Sequence, residues 1–350
     1  MRAFSIWLVL LQHGGINIRG LAPLKIGGIG VEIFFVISGF LIGGILFREI
    51  DKGNSIVQTL KNFWTRRWLR ILPLYYTVLL FKFIFTDQSI GFNILYYIFF
   101  LQNNFYGIDF FEVSWSLVIE EWFYLFAPIF LLLATTFFKS EKKVFISMIM
   151  FIICVIILRI IYVFHGNIPY EGVNGNFPFR FDSLFMGVIF AFTKHKKWKL
   201  FDIASSSTVF ALGIILFVGY IFYYWTLAYP ENMINKVWFP RTLGFFILPF
   251  AISLTIPYIS NIKLQTDINL STKIFYLFIN TTSILTYSIY LIHPFIYSLK
   301  LNLIISILIT YLISWFTYTY FEKPILKYRD KITGYNSTLP KAGQKCEYEQ

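Results

Sequence analysis

Residues 144–164 read VFISMIMFIICVIILRIIYVF, an apolar run broken by a single charge, Arg159. Wound as a helix at about 1.5 Å per residue, such a run covers about 30 Å, the thickness of a bilayer's hydrocarbon layer. Nine further runs share its character, and together the ten lie at about 3–18, 28–47, 71–86, 115–137, 144–164, 180–193, 203–226, 241–258, 275–298 and 302–321. The pattern predicts an all-α fold, a polytopic transmembrane bundle of about ten spans over residues 1–333. A disordered tail is expected over 334–350, where apolar content falls away.

Composition leads to the same solvent. The 350 residues are 57% hydrophobic, 21% aromatic and only 14% charged, which leaves too little polar surface for a water-soluble domain of this length. The net charge of +12 does not indicate a nucleic-acid partner. Lys and Arg fall mainly in short connections between apolar runs, where the positive-inside tendency places them. Cys154 and Cys346 have no metal-type spacing and outline no disulfide framework, and no metal is predicted. The chain opens at once on Met1, Arg2 and an apolar stretch, which reads as a retained first span without a signal-peptide cleavage site. That span is short and leaves room for a few helical residues before Met1.

Loop charge orients the bundle. The segments 48–70, 138–143, 194–199 and 322–331 are basic, and ten spans put all four, with both termini, in the cytoplasm. The run 92–103 is too short to cross and is left outside the count as a re-entrant or interfacial segment.

Charges inside spans are costly and so mark candidates for function or for structural pairing. His13, Glu32, Glu120, Glu121, Arg159, Arg180, Asp182, Arg241 and His293 all fall toward the outer ends of their runs, as if one external polar site gathered them. At the inner face Arg66 and Arg70 stand four apart, on one side if helical, and arginine's planar fork suits phosphate oxygens. Anchoring to anionic headgroups is the competing reading. Eleven helical steps, about 16 Å, separate Arg2 from His13, a gap that a long thin donor can bridge. Gly14 and Gly15 then end the helix and are expected to let a substrate come close.

Five blocks in order resemble the acyltransferase-3 family of membrane acyltransferases. These are the Arg2–His13 pair with ten residues between them; Gly30-Val31-Glu32-Ile33-Phe34-Phe35-Val36-Ile37-Ser38-Gly39-Phe40-Leu41-Ile42; the arginine block up to Pro73; Ser114-Trp115-Ser116-Leu117-Val118-Ile119-Glu120-Glu121-Trp122-Phe123-Tyr124; and Tyr287-Ser288-Ile289-Tyr290-Leu291-Ile292-His293-Pro294 with the ending Tyr320-Phe321-Glu322-Lys323-Pro324. Trp122 stands where the family commonly has Gln.

The resemblance implies a multi-pass enzyme of the cytoplasmic membrane that moves an acyl group, commonly acetyl, from acyl-CoA to a hydroxyl of a surface or exported carbohydrate. It implies a CoA site at Arg2, Arg66 and Arg70, with Ser38 either polarising the thioester or packing. His13 is then general base or nucleophile, the base being favoured, with Glu120 or Glu121 orienting its ring. Glu32, Tyr124, Arg180, Asp182 and His293 are the candidates for binding the acceptor, although Arg180 and Asp182 can also pair with each other. A transporter or flippase is the main alternative and a non-catalytic assembly scaffold the third. The acceptor, the acyl length and the oligomeric state are not readable from the residues.

Overall fold

The structure, a computed structural model, describes residues 1–15, 26–85, 90–105, 107–228, 233–262 and 269–333, and among these there is no strand. The expected tail 334–350, with Cys346, lies outside the described residues. Ten principal helices follow in order: α1 (Arg2–His13), α2 (Ile26–Asp51), α3 (Ile56–Phe85), α4 (Trp115–Phe138), α5 (Glu141–Gly166), α6 (Phe181–His195), α7 (Ser207–Tyr223), α8 (Gly244–Ser260), α9 (Leu270–Ser298) and α10 (Leu303–Thr317). A polar helix, α11 (Lys323–Ile332), follows α10 through a π-helical turn.

Among the described residues, seven helices are long and apolar enough to cross a membrane, namely α2, α3, α4, α5, α7, α9 and α10 with its continuation. The other three expected runs fold as shorter helices, α1 of 12 residues, α6 of 15 and α8 of 17. Local chemistry accounts for the shortening. Gly15, at φ +67°, turns the chain out of α1, and a 3-10 turn containing Pro178 precedes α6. The run 92–103 holds the end of a 3-10 turn, Gly91–Asn93, the short helix Ile94–Ile98 and, beginning within it, Gln102–Phe105. The segment 48–70, expected as a connection, is instead helical from Ile56, because α3 carries the arginine block without a break into its apolar half.

Lipid gives helices no hydrophobic reason to associate, so close backbone contact and polar pairing must do it. α2 and α6 show both. Gly39 lies against the Leu184 carbonyl, Gly187 against Val36 and Phe40, and Gly43 against Val188 and Ala191, so the two helices run parallel with almost no side-chain spacer. α1 lies antiparallel on α2, Gly30 facing the Ser5 carbonyl and the Gly27 N–H donating to Gln12 Oε1 at 2.7 Å. Aromatic rings from α4, α5 and α6 interlock beside this core, with Phe126, Phe130, Phe151 and Phe185 in mutual contact.

Two buried ion pairs finish the interior. Arg159 of α5 donates to both carboxylate oxygens of Asp182, at 3.1 and 2.8 Å, and to the Phe179 carbonyl at 2.6 Å. Arg180 pairs with Glu32 of α2 and donates to Asn174 Oδ1 at 2.6 Å. Both guanidinium groups border the Phe245 ring, at 5.9 and 4.3 Å from its centroid. Arg180 and Asp182 are therefore not each other's partners, as one reading of the sequence had it, but tie α6 to two different helices. At the other end of the bundle, Asp51 meets His195 at 2.6 Å and Lys196 at 3.3 Å, while Lys196 lies 3.6 Å from Glu141. That brings the ends of α2 and α6 and the start of α5 to one face.

These contacts set two expectations. Gly187→Leu places a branched side chain into the α2 backbone and is expected to cost more than the ~1–3 kcal/mol of ordinary overpacking. It should appear as loss of the monodisperse species in detergent gel filtration. Asp182→Asn strands the Arg159 charge in the interior, at a cost of about 3–5 kcal/mol, whereas Arg159→Met combined with Asp182→Leu removes both charges and should melt closer to wild type than the single variant.

Candidate functional site

The arginine block, read as a helix, turns successive side chains about 100° apart, so only some can face the interior. Arg66 faces α2 and lies 3.2 Å from Glu49, which also holds Lys52 at 2.8 Å. Arg67 and Arg70, three apart, line an internal cavity of about 100 Å³, and Arg2 of α1 joins them. The expected Arg66–Arg70 clamp is thus replaced by Arg2, Arg67 and Arg70. Both spacings suit one helical face, and the neighbouring helices distinguish the two sets, since Arg66 meets Glu49 of α2.

The cavity's other polar walls come from α2, α4 and α9, as Ser38, Ser116, Glu120, Tyr124, Tyr287 and Tyr290. Glu120 accepts a hydrogen bond from Ser38 Oγ at 2.8 Å on one oxygen and from the Tyr124 hydroxyl at 3.0 Å on the other. The Arg67 guanidinium sits 5.1 Å from the centre of the Tyr124 ring. Carboxylate, phenol and guanidinium therefore form one connected group in the cavity wall. Indole N–H of Trp64 holds the Tyr124 carbonyl at 3.0 Å and fixes α3 against α4 at this level. Tyr290 donates to the Val113 carbonyl at 2.7 Å, so the 2.6 Å contact between its hydroxyl and Ser116 has Ser116 as donor.

Several expectations change on this geometry. Ser38 neither stands free to polarise a carbonyl nor serves as inert packing, since its proton is committed to Glu120. Neither Glu120 nor Glu121 orients His13. Glu120 is held by Ser38 and Tyr124, while Glu121 is buried, does not line the cavity, and has one oxygen, Oε1, without a hydrogen bond among the described residues. Glu32, Arg180 and Asp182, read as acceptor ligands, are engaged in the interior ion pairs, and Glu32 also lines a second cavity with Tyr170, Asn174 and Tyr220. Arg241 donates to Asn167 Oδ1 at 3.1 Å and the Ile168 carbonyl at 3.0 Å. The intramembrane charges are thus divided among separate partners and do not converge on one site.

His13 is the last residue of α1 and is exposed. Its Nδ1 lies 2.7 Å from Nε2 of His293, which is fully buried. Gly14 is packed beneath Leu303 and Tyr297, so the close approach it permits is made by the protein's own side chains. His293 stands one helical turn beyond the cavity-lining Tyr290, with ring centroids 5.9 Å apart. The cavity therefore has cations at one end and approaches the two imidazoles at the other. Arg67 is the residue that sequence reasoning passed over; its three-residue spacing from Arg70 is equally helical, and only the neighbouring helices choose between the pairs. Among the described residues no group of three or more His, Cys, Asp or Glu is placed to hold a metal ion.

The family described as "Acyltransferase domain" matches residues 1–326. A Staphylococcus aureus (strain COL) protein provisionally named an O-acetyltransferase is 32% identical over 211 residues, 55% of this chain and 33% of that protein. Peptidoglycan O-acetyltransferase OatA of Listeria monocytogenes is 31% identical over 161 residues, 41% of this chain and 25% of that protein. An uncharacterized Haemophilus influenzae protein is 38% identical over 143 residues, 35% of this chain and 57% of that protein. The matched region spans about a third of the length of the S. aureus relatives. No solved structure matches the chain. With five ordered sequence blocks on one helical bundle and a family match running through nearly all of it, the chain belongs to the acyltransferase domain family.

Proposed function

We propose that this protein is a membrane O-acyltransferase that moves an acyl group, acetyl in the first instance, from acyl-CoA to a hydroxyl of a cell-surface or exported carbohydrate. The observation that carries the reading is the polarity of the cavity: Arg2, Arg67 and Arg70 at one end and the His13–His293 pair a helical turn past the other. The name of the Listeria relative directs attention to peptidoglycan as acceptor.

In this reading the CoA phosphates stay outside the narrow cavity, on the three arginines, whose fixed donors match phosphate oxygens. The pantetheine arm enters as a thin chain. Glu120 retains lone pairs beyond those used by Ser38 and Tyr124, so it can accept the amide N–H groups of that arm. His13 takes the proton of the acceptor hydroxyl as its oxygen attacks the thioester carbonyl. The C–S bond then breaks, and the proton returns to the departing thiolate.

Sidedness supports the same arrangement. The parallel run of α2 and α6 is met by three crossings between them, α3, α4 and α5, with 92–103 not crossing. Counting the short helices α1, α6 and α8 as traversing the bundle makes ten passages, with both ends of the chain on the basic, cytoplasmic side of the cell membrane. Acyl-CoA then enters from the cytoplasm and the imidazoles face the exported acceptor.

In nanodiscs with radiolabelled acetyl-CoA, Arg67→Ala combined with Arg70→Ala is expected to raise the KM for donor by about tenfold or more, the effect of losing charge-assisted hydrogen bonds. Arg66→Ala should change it by less than about threefold, the residue being engaged with Glu49. His13→Ala should lower turnover by about 10²–10⁴-fold with CoA binding retained. Absence of both turnover and saturable CoA binding in the wild-type protein would overturn the enzyme reading in favour of transport.

A further inference from the structure

The second imidazole is unaccounted for by acyl transfer as just described, and its hydrogen bonds define its protonation. His293 Nδ1 lies 3.1 Å from the carbonyl of Ile289, one turn back on α9. A carbonyl oxygen can only accept, so Nδ1 carries the hydrogen. His293 is fully buried, and no carboxylate among the described residues lies within ion-pair distance of it. A charged imidazolium without a counter-ion is disfavoured there, so the ring is neutral and its Nε2 presents a lone pair. That lone pair faces His13 Nδ1 at 2.7 Å, and His13 Nδ1 must then be the donor. With its hydrogen on Nδ1, neutral His13 has a free lone pair on Nε2, on a side chain that is exposed.

We infer that His293 is a positioning residue that holds His13 in the Nδ1–H tautomer and leaves His13 Nε2 as the proton-accepting nitrogen. This rests on the reading of His13 as general base. His293 fills the place that a carboxylate holds in a Ser-His-Asp arrangement, with one difference: a neutral acceptor requires no charge to be buried beside the base. The contact also survives the reaction. When the acceptor's O–H proton moves to His13 Nε2 as the new C–O bond forms, Nδ1–H still donates to His293. The proton leaves Nε2 for the thiolate once the C–S bond has broken, and neither ring has to rotate. The other tautomer of His293, donating from Nε2, would require a lone pair on His13 Nδ1 and place the His13 hydrogen on its Nε2, where no proton could be accepted. The hydrogen bond to the Ile289 carbonyl selects against that state.

Glutamine can place an amide oxygen where His293 has Nε2, whereas asparagine reaches only the Nδ1 position and leucine fills the volume without an acceptor. The experiment uses the full chain in nanodiscs with radiolabelled acetyl-CoA and an acceptor carbohydrate, comparing wild type, His13→Ala, His293→Gln, His293→Asn and His293→Leu. The expected result is His293→Gln within about tenfold of wild-type kcat, and His293→Asn and His293→Leu down by about 10²-fold, with the KM for acetyl-CoA unchanged within about twofold in all three. Nitrogen-15 spectra of histidine-labelled protein should show His13 as a single Nδ1–H tautomer in wild type and His293→Gln, and a mixture in His293→Leu.

If folded His293→Leu keeps wild-type kcat, or if the Gln and Asn variants are equally slow, the positioning role is overturned while the base reading of His13 stands. Should the Leu variant fail to fold, the Gln–Asn pair decides the question alone. Retention of turnover by His13→Ala would overturn the base reading itself, and this inference with it.

Discussion

A charge inside the hydrocarbon layer must find its partner within the protein, because no water is there to receive it. α6 is where this constraint is most visible. Arg180, just before it, and Asp182, in its first turn, are both fully buried, and each is satisfied by a different neighbour: Glu32 on α2 and Arg159 on α5. Once those pairs are made, α2, α5 and α6 cannot slide or rotate relative to one another without exposing a charge to apolar surroundings. The glycine contacts between α2 and α6 depend on the same register, since Gly39, Gly43 and Gly187 meet backbone only when the helices are aligned by Glu32 and Arg180. A short helix of 15 residues is sufficient here because α6 is surrounded by protein along most of its length.

The cavity follows from that alignment. α2 brings Ser38 six residues beyond Glu32, and α4 brings Glu120 to meet it, so that this half-buried carboxylate is satisfied by hydroxyl donors in place of a guanidinium. Arg67 remains close enough to balance charge through the Tyr124 ring but is not consumed in a direct salt bridge with Glu120. This difference matters for the proposed chemistry. Arg159 and Arg180 are held in ion pairs with Asp182 and Glu32, while Arg2, Arg67 and Arg70 line the cavity. The same residue type forms interior ion pairs in one half of the bundle and lines a cavity in the other.

At the far end the pair of imidazoles meets the same constraint by a third route. His293 has no ion partner and is kept neutral by burial, with both ring nitrogens used, one on the Ile289 carbonyl and one on His13. His13, at the end of a helix and exposed, is the member able to exchange a proton with an acceptor. Outside this polar axis, α5 and α7 present Ile, Leu, Met, Val and Phe side chains to their surroundings, among them Ile153, Ile157, Ile161, Ile215 and Phe222, as helices facing lipid must.

Much of this was legible along the chain. The apolar runs determined that the protein is a helical membrane bundle, because a span needs only length and low charge, and both are local properties. The ordered blocks determined the family, and the rule against unpaired intramembrane charge picked out residues that make the interior's polar contacts, including His13, Glu32, Glu120, Arg180, Asp182 and His293. Which of them belong together was decided only by the tertiary structure. Arg180 faces Glu32 and not Asp182; Glu120 faces Ser38 and Tyr124 and not His13; His13 faces His293, 280 positions away. Periodicity also left Arg66 and Arg67 equal as partners of Arg70, and the choice fell to Glu49, which draws Arg66 out of the cavity wall. Helical spacing specifies which side chains share a face; which helix that face meets depends on the packing of every other span, and no local stretch of sequence contains that information.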